Sequence, residues 1–340
     1  MYLGNKIVYF PKPQMIWDED ALYHGSEIFT DIYYSSYTIT AVCHGGKVVS
    51  GYGRSFTNYE NAIPMNEVRG VCFGETSYGH AWMTAGRNNG RASVSYARSY
   101  NLGTWTEAKN LSDDSSNLYD IEYGEDIFVA VGYDGFIGIN SAIFISENGL
   151  SWGKQDITYS GDTSQFKDRT LKSVAYAPDK TVKFVCVGNN GTIVTTTDCE
   201  TWTMQSLGTV HFNDVIYADN KFTAVGYYNS RGTTPVEGAP GTITVIATSS
   251  DGLTWTLAEI GENTPKSVAY NNGTYVIVQE GDRLDGYTIT SGINGESKTL
   301  NNIGTAIRSE ILSKVIAVGD CFVSISSDKI IKSKQGELYD

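Results

Sequence analysis

Apolar residues along the chain fall into short runs of two kinds, and neither has the spacing of a helix. The first kind is a four-residue pattern of a small or acidic residue, a β-branched residue, any residue, then usually an aromatic. It reads Asp31-Ile32-x-Tyr34, Gly70-Val71-x-Phe73, Asp120-Ile121-x-Tyr123, Ser173-Val174-x-Tyr176, Asp214-Val215-x-Tyr217, Ser267-Val268-x-Tyr270 and, in degenerate form, Gly304-Thr305-x-Ile307. Positions i and i+2 of a strand share a face, so each copy buries a β-branched residue and an aromatic on one side. The second kind follows each copy and is nearly continuous in apolar residues, as a strand covered on both faces is. "FVAVG" (from Phe128), "FVCVG" (from Phe184), "FTAVG" (from Phe222) and "VIAVG" (from Val315) are its clear forms, and runs at Ile39, Trp82 and Tyr275 are divergent ones.

A third run precedes a polar turn, and a fourth carries a tryptophan just after it: "SSDGLTWT" (Ser249 to Thr256), "SENGLSWG" (Ser146 to Gly153), "TTDCETWT" (Thr196 to Thr203) and "YNLGTWTE" (Tyr100 to Glu107). Four short strands repeated every roughly 40 to 50 residues are the pattern of a propeller blade. The expected fold is therefore all-β, a seven-bladed β-propeller of four-stranded antiparallel blades. Trp17 precedes Ile32 at about the spacing that separates Trp202 from Val215 and Trp255 from Val268. No first three strands precede Trp17, so an N-terminal strand is expected to complete the last blade and remove its open edge. The expected division is an N-terminal arm over 1–13, ending at the rigid Pro11 to Pro13, and a propeller over 14–340.

Composition narrows the function. The 36 Gly suit strands and tight turns, and 25 basic against 38 acidic residues leave a formal charge of −13. That charge disfavours nucleic acid and anionic membrane surfaces as partners, and no apolar run is long enough to span a bilayer. The five cysteines have no metal-type spacing. Cys43, Cys72 and Cys186 lie in apolar strand runs, which predicts buried thiols and synthesis in a reducing cytoplasm. The opening "MYLGNKIVYFPKPQMIW" has no basic region followed by an apolar stretch, so synthesis without a cleaved signal peptide is expected.

The turn at Ser249 to Trp255 resembles that of Asp-box, or bacterial neuraminidase repeat, propellers, S-x-D-x-G-x-T-W, with one residue fewer between Asp251 and Gly252. In it Asp251 can accept turn amides, Gly252 can take a positive φ and Trp255 can pack between blades, a structural role. Sialidases in that family imply three convergent arginines, a Tyr nucleophile assisted by Glu and an acid/base Asp. The chain's nine arginines include no Arg-Ile-Pro segment in the first blade, its four histidines lack metal-ligand spacing, and no hydrolase elbow occurs. The protein is expected to be no enzyme, with no catalytic residue, no metal and no cofactor.

Insertions fall in the loops between second and third strands and in one interblade link, which open on a common face. Ligand contacts concentrate in such loops. The candidate ligand-binding residues are Tyr133, Asp134, Phe136, Tyr159, Phe166, Tyr227, Tyr228, Asn229, Arg231, Arg283 and Tyr287. Aromatic rings beside Asn, Asp and Arg suit a glycan and equally a protein, while some of the rings are expected only to pack their own loops. Asp31, Asp120, Asp214, Ser173 and Ser267 should ring the channel mouth and accept hydrogen bonds from the neighbouring blade rather than hold a cation.

The leader, with Tyr2, Leu3, Gly4, Asn5, Lys6, Ile7 and Val8, resembles the start of tail proteins of bacteriophages and phage-like bacteriocins. That resemblance implies a virion tail protein in which Tyr2, Leu3, Lys6 and Ile7 anchor the arm to tail or baseplate proteins. The loop face would recognise a host cell-surface glycan or protein, with homo-oligomerisation left open. The alternatives are an assembly propeller similar to photosystem II stability factors and a sialidase-like glycoside hydrolase.

Overall fold

Four consecutive antiparallel strands, each hydrogen-bonded to the next, make the repeating unit of the ring. The computed structural model describes residues 2–3, 6–7, 16–17, 21–35, 37–76, 79–98, 101–106, 109–112, 115–135, 140–159, 168–230, 241–280, 287–291, 300–302 and 312–334. Six blades have the repeating construction, with inner strands Phe29–Ser35, Glu67–Thr76, Ser116–Gly124, Leu171–Tyr176, His211–Ala218 and Thr264–Asn271, numbered one to six here in chain order. Blade four gains a fifth strand, Ile157–Tyr159, which runs parallel to Trp202–Ser206.

This corrects the expectation of seven like blades: among the described residues there are six, and the circle is finished by a sheet of different construction. Among the described residues, three consecutive strands, Lys314–Val318, Cys321–Ile325 and Lys329–Lys334, form that closing sheet. Two strands from the other end of the chain, Ile16–Trp17 and Tyr23–His24, cover its outer edge, with Trp17 opposite Ser333 and Tyr23 opposite Ile330. The edge is thus paired by N-terminal chain, as the Trp17 spacing predicts. Tyr2–Leu3 and Lys6–Ile7 pair with each other as a two-stranded hairpin, and with no other strand among the described residues.

A second correction concerns "VIAVG". It is the inner strand of the closing sheet, not a second strand, and Val315 occupies the place of Val268 or Val215 in the blades. Its Gly319 is a turn residue at φ 57, unlike Gly132, Gly188 and Gly226, which lie within second strands. The copy proposed at Gly304 to Ile307 lies outside the described residues.

The apolar core is divided among the junctions between neighbouring sheets. Between blades four and five, for example, Val185, Val187 and Ile193 meet Phe212, Val215 and Phe222, all at most 2% exposed. Each sheet supplies apolar residues on both faces, which explains the unbroken apolar second strands. The Trp turns brace the outside of the ring. Asp251 Oδ1 accepts from the Leu253 and Thr254 amides at 2.8 and 2.7 Å, and Gly252 sits at φ 78. The Trp255 indole donates to the Gly252 carbonyl at 3.1 Å. Asp198 and Asn148 repeat the carboxylate's part in blades four and three. Cys43, Cys72, Cys186 and Cys321 are buried thiols, and Cys199 is half-buried.

Candidate functional site: the channel mouth

Every inner-strand position that opens the four-residue pattern faces its counterparts across the central channel, and the sequence there follows a hydrogen-bonding logic. The amide after each such position needs an acceptor, since a buried unpaired N–H is costly. Asp31 Oδ2 accepts from Val71, Asp120 Oδ2 from Val174 and Asp214 Oδ2 from Val268, at 2.8, 3.0 and 2.9 Å. Ser173 and Ser267 do the same with their hydroxyls for Val215 and Val315. Gly70 and Lys314 have no acceptor to offer the next sheet. The following strands both carry an aspartate, and each caps its own next amide: Asp120 Oδ1 takes Ile121 at 2.8 Å, and Asp31 takes Ile32. Gly70 suits that close approach, because a Cβ would lie 3.0 Å from the Asp120 Cα and crowd it. The aspartates accept amides from neighbouring blades, as the sequence suggests.

Charge in the channel is partly offset internally. The Lys314 ammonium lies 2.9 Å from Asp214 Oδ1. Burial pulls its pKa down, but the carboxylates of Asp214, Asp120 and Asp31 outweigh that and hold it above the usual lysine value. Burial pushes Asp31 up to about 7 and raises Asp120. Glu122 shares the channel-facing side with Asp120. Burial pushes it up to about 8, and it is hydrogen-bonded to Tyr33, whose hydroxyl is raised by that neighbouring carboxylate. With Asp31 near 7 and Glu122 near 8, these two carboxyls hold protons for part of the time at neutrality, so the channel is less negative than its residue count implies.

One residue above this ring, every blade except blade three's Tyr119 places a polar or charged side chain at the mouth by the same device. The pairing of first and second strands skips one residue in each blade: Thr30, Arg69, Tyr119, Lys172, Asn213 and Lys266 are the extra residues of six β-bulges. A bulge bends its strand and re-aims the extra side chain. Opposite four of them stands a glycine whose missing Cβ makes room for the bulged backbone: at Gly132 a Cβ would come 1.9 Å from the Asn117 carbonyl oxygen. All six side chains are half-buried around the channel. Arg69 and Lys172 both approach the Tyr119 ring, at 5.0 and 3.8 Å from its centroid, and Arg69 pairs with Glu67 at 2.9 Å. Tyr133 packs beside Tyr119, with ring centroids 6.2 Å apart. On the far side of Lys172, His211 is 7% exposed, stacks near Tyr227 at 5.7 Å, and has no hydrogen-bond partner for Nε2 among the described residues. Burial lowers its pKa, which keeps the imidazole neutral.

The predicted ligand-binding residues divide on this face. Tyr133 joins the collar through Tyr119. Asp134 is ion-paired with Lys154. Tyr159 is 38% exposed, with the Arg169 guanidinium 4.6 Å from its ring centre. Tyr227 is buried, and Tyr228 packs against the junction of blades four and five with its hydroxyl bonded to Glu259, so these two rings serve packing. Asn229 is half-buried at the end of its strand. Tyr287 opens the third strand of blade six, opposite Gln279. Phe136, Phe166, Arg231 and Arg283 lie outside the described residues. The collar residues other than Tyr133 were not legible as a site, although each occupies the column just before the four-residue pattern.

Solved structures place this geometry in a fold class. The chain is similar to a catalytically inactive virginiamycin B lyase from Staphylococcus aureus solved with quinupristin, at a TM-score of 0.66 and 12% identity over 95% of this chain and 99% of that one. It is similar to YCF48 bound to D1 peptide, at 0.62 and 11% over 97% and 99%. The WD40 β-propeller domain of Doa1 aligns at 0.60 and 12% over 95% and 97%. Neither a family model nor a curated protein sequence matches the chain. The protein is an all-β β-propeller.

Proposed function

We propose that this propeller is a non-enzymatic recognition protein of a bacteriophage or phage-like tail, which binds a host cell-surface glycan or protein through the channel-mouth face. The observation that carries the reading is the collar: six bulges aim six side chains at one opening. Rigid strands hold these side chains, which favours recognition over induced rearrangement. The arm's part is supported by the hairpin Tyr2–Leu3 with Lys6–Ile7, which pairs with no propeller strand among the described residues, and by the leader's resemblance to phage tail proteins. In this reading the protein is made in the bacterial cytoplasm and resides in the tail of the particle.

Deleting residues 1–13 should release the protein from particles while the purified chain still binds cells. Retention in particles would refute the anchoring role. A second reading, an assembly propeller that binds a protein segment, is favoured by one observation: YCF48 has this fold and is solved bound to D1 peptide. Capture of a membrane protein complex, with no binding to cell surfaces, would select it.

A further inference from the structure

Half of the collar is cationic in a chain that carries a formal charge of −13. The three bulge positions of blades two, four and six hold Arg69, Lys172 and Lys266. They stand on alternate blades, two of them converging on one aromatic ring and the third two blades further round. Tyr119 lies between two of them in the chain's circular order, and both cations rest against its ring, at 5.0 and 3.8 Å. Cation–π contact fixes two long side chains that would otherwise lose rotamer entropy on binding. Below them, protons retained on Asp31 and Glu122 and the charge of Lys314 weaken the repulsion that an entering anion would meet.

The intervening collar positions include Thr30 and Asn213. Thr30 Oγ1 donates to the Val42 carbonyl at 3.2 Å and Asn213 Nδ2 to the Pro265 carbonyl at 2.7 Å, so each keeps an oxygen able to accept from a hydroxyl. No aliphatic side chain stands among the six bulge positions to seat the hydrophobic anchor of a peptide. Cations alternating with hydroxyl-matching groups fit a charged saccharide or polyol better than a protein segment.

Resting on the recognition role proposed above, we infer that the ligand of the mouth is anionic: a carboxylate- or phosphate-bearing saccharide or polyol whose acidic groups sit among Arg69, Lys172 and Lys266. Arg69 and Lys172 bind the charge, and Tyr119 is a positioning residue.

The test is titration of the full chain with poly(glycerol phosphate), polygalacturonate, dextran and poly-glutamate, by calorimetry at low and moderate salt. Binding to one or both of the first two, weakened by added salt, is expected, and which of them binds tells phosphate from carboxylate. Lys172→Met with Lys266→Met should weaken it at least tenfold, Lys172→Arg with Lys266→Arg should restore most of it, and Tyr119→Leu should weaken it less than the double lysine change. Matching thermal melts show that the variants are folded. Binding to dextran unaffected by the lysine changes overturns the anionic ligand while leaving the recognition role intact. Equal binding to poly-glutamate overturns the saccharide class, and binding to none of the four overturns the inference. Failure of the wild-type chain to bind any cells is the separate result that removes the recognition role itself.

Discussion

Replacing Lys314 by methionine removes the positive charge that faces the channel carboxylates while keeping most of the side chain's length. In the wild-type protein its ammonium lies 2.9 Å from Asp214, and the Asp214 side chain is only 2% exposed. Breaking a buried pair by removing one partner costs about 3 to 5 kcal/mol. The Lys314 side chain retains 24% exposure, and the remaining acids can take up protons, so the lower end, about 3 kcal/mol, is expected near pH 8. The loss should shrink at lower pH. With Asp31 up at about 7 and Glu122 at about 8, both carboxyls hold protons at pH 5.5 whether or not the lysine is present, and less charge needs compensation. Urea unfolding of wild type and Lys314→Met at pH 5.5 and 8.5 measures both quantities. A variant as stable as wild type at pH 8.5, or equally weakened at the two pH values, would refute the account of Lys314 as the cation that offsets part of the channel's carboxylate charge.

Other outcomes follow from the same structure. A carboxyl whose folded pKa is raised binds its proton more tightly when folded, so wild-type stability should fall as pH rises from about 4.5 towards 8; Glu122→Gln should flatten that slope, by up to about 4 kcal/mol across the interval, in melts recorded against pH. Trp202 is fully buried, and Trp202→Ala should cost about 3 to 5 kcal/mol in chemical denaturation. Gly252→Ala would put a Cβ 2.9 Å from Val182 Cγ1 at φ 78 and should lose roughly 2 kcal/mol, whereas Gly53→Ala, also at positive φ (60) but with no atom within 4 Å of its Cβ, should lose less.

The strands were legible because their signal is packing. Buried pairs such as Val174 with Tyr176 recur at each inner strand, and the second strands are apolar because both faces are covered. The closing sheet misled for a physical reason. Lys314 stands where other inner strands carry Asp, Ser or Gly, and its neutralising role depends on aspartates distant in sequence. With that marker gone, the apolar Val315-Ile316-Ala317-Val318 reads as a second strand. The collar was hidden differently. A bulge requires no particular residue at the extra position, so Thr30, Arg69, Tyr119, Lys172, Asn213 and Lys266 share no chemistry. The glycine opposite four of them was visible at the end of "FVAVG" and its relatives, but its meaning depends on the strand beside it. Among the predicted loop residues, Tyr227 is one of the rings that pack, buried beside His211.

Recognition through the channel mouth is tested most directly by comparing substitutions on opposite faces of the ring for binding to a panel of bacterial cells and purified wall glycans. Lys172→Met with Lys266→Met alters the collar, and Leu253→Ser alters an exposed residue of a Trp turn on the other face. The account predicts that the collar variant loses surface binding while the turn variant binds like wild type. Undiminished binding by the collar variant together with loss in the turn variant would contradict it.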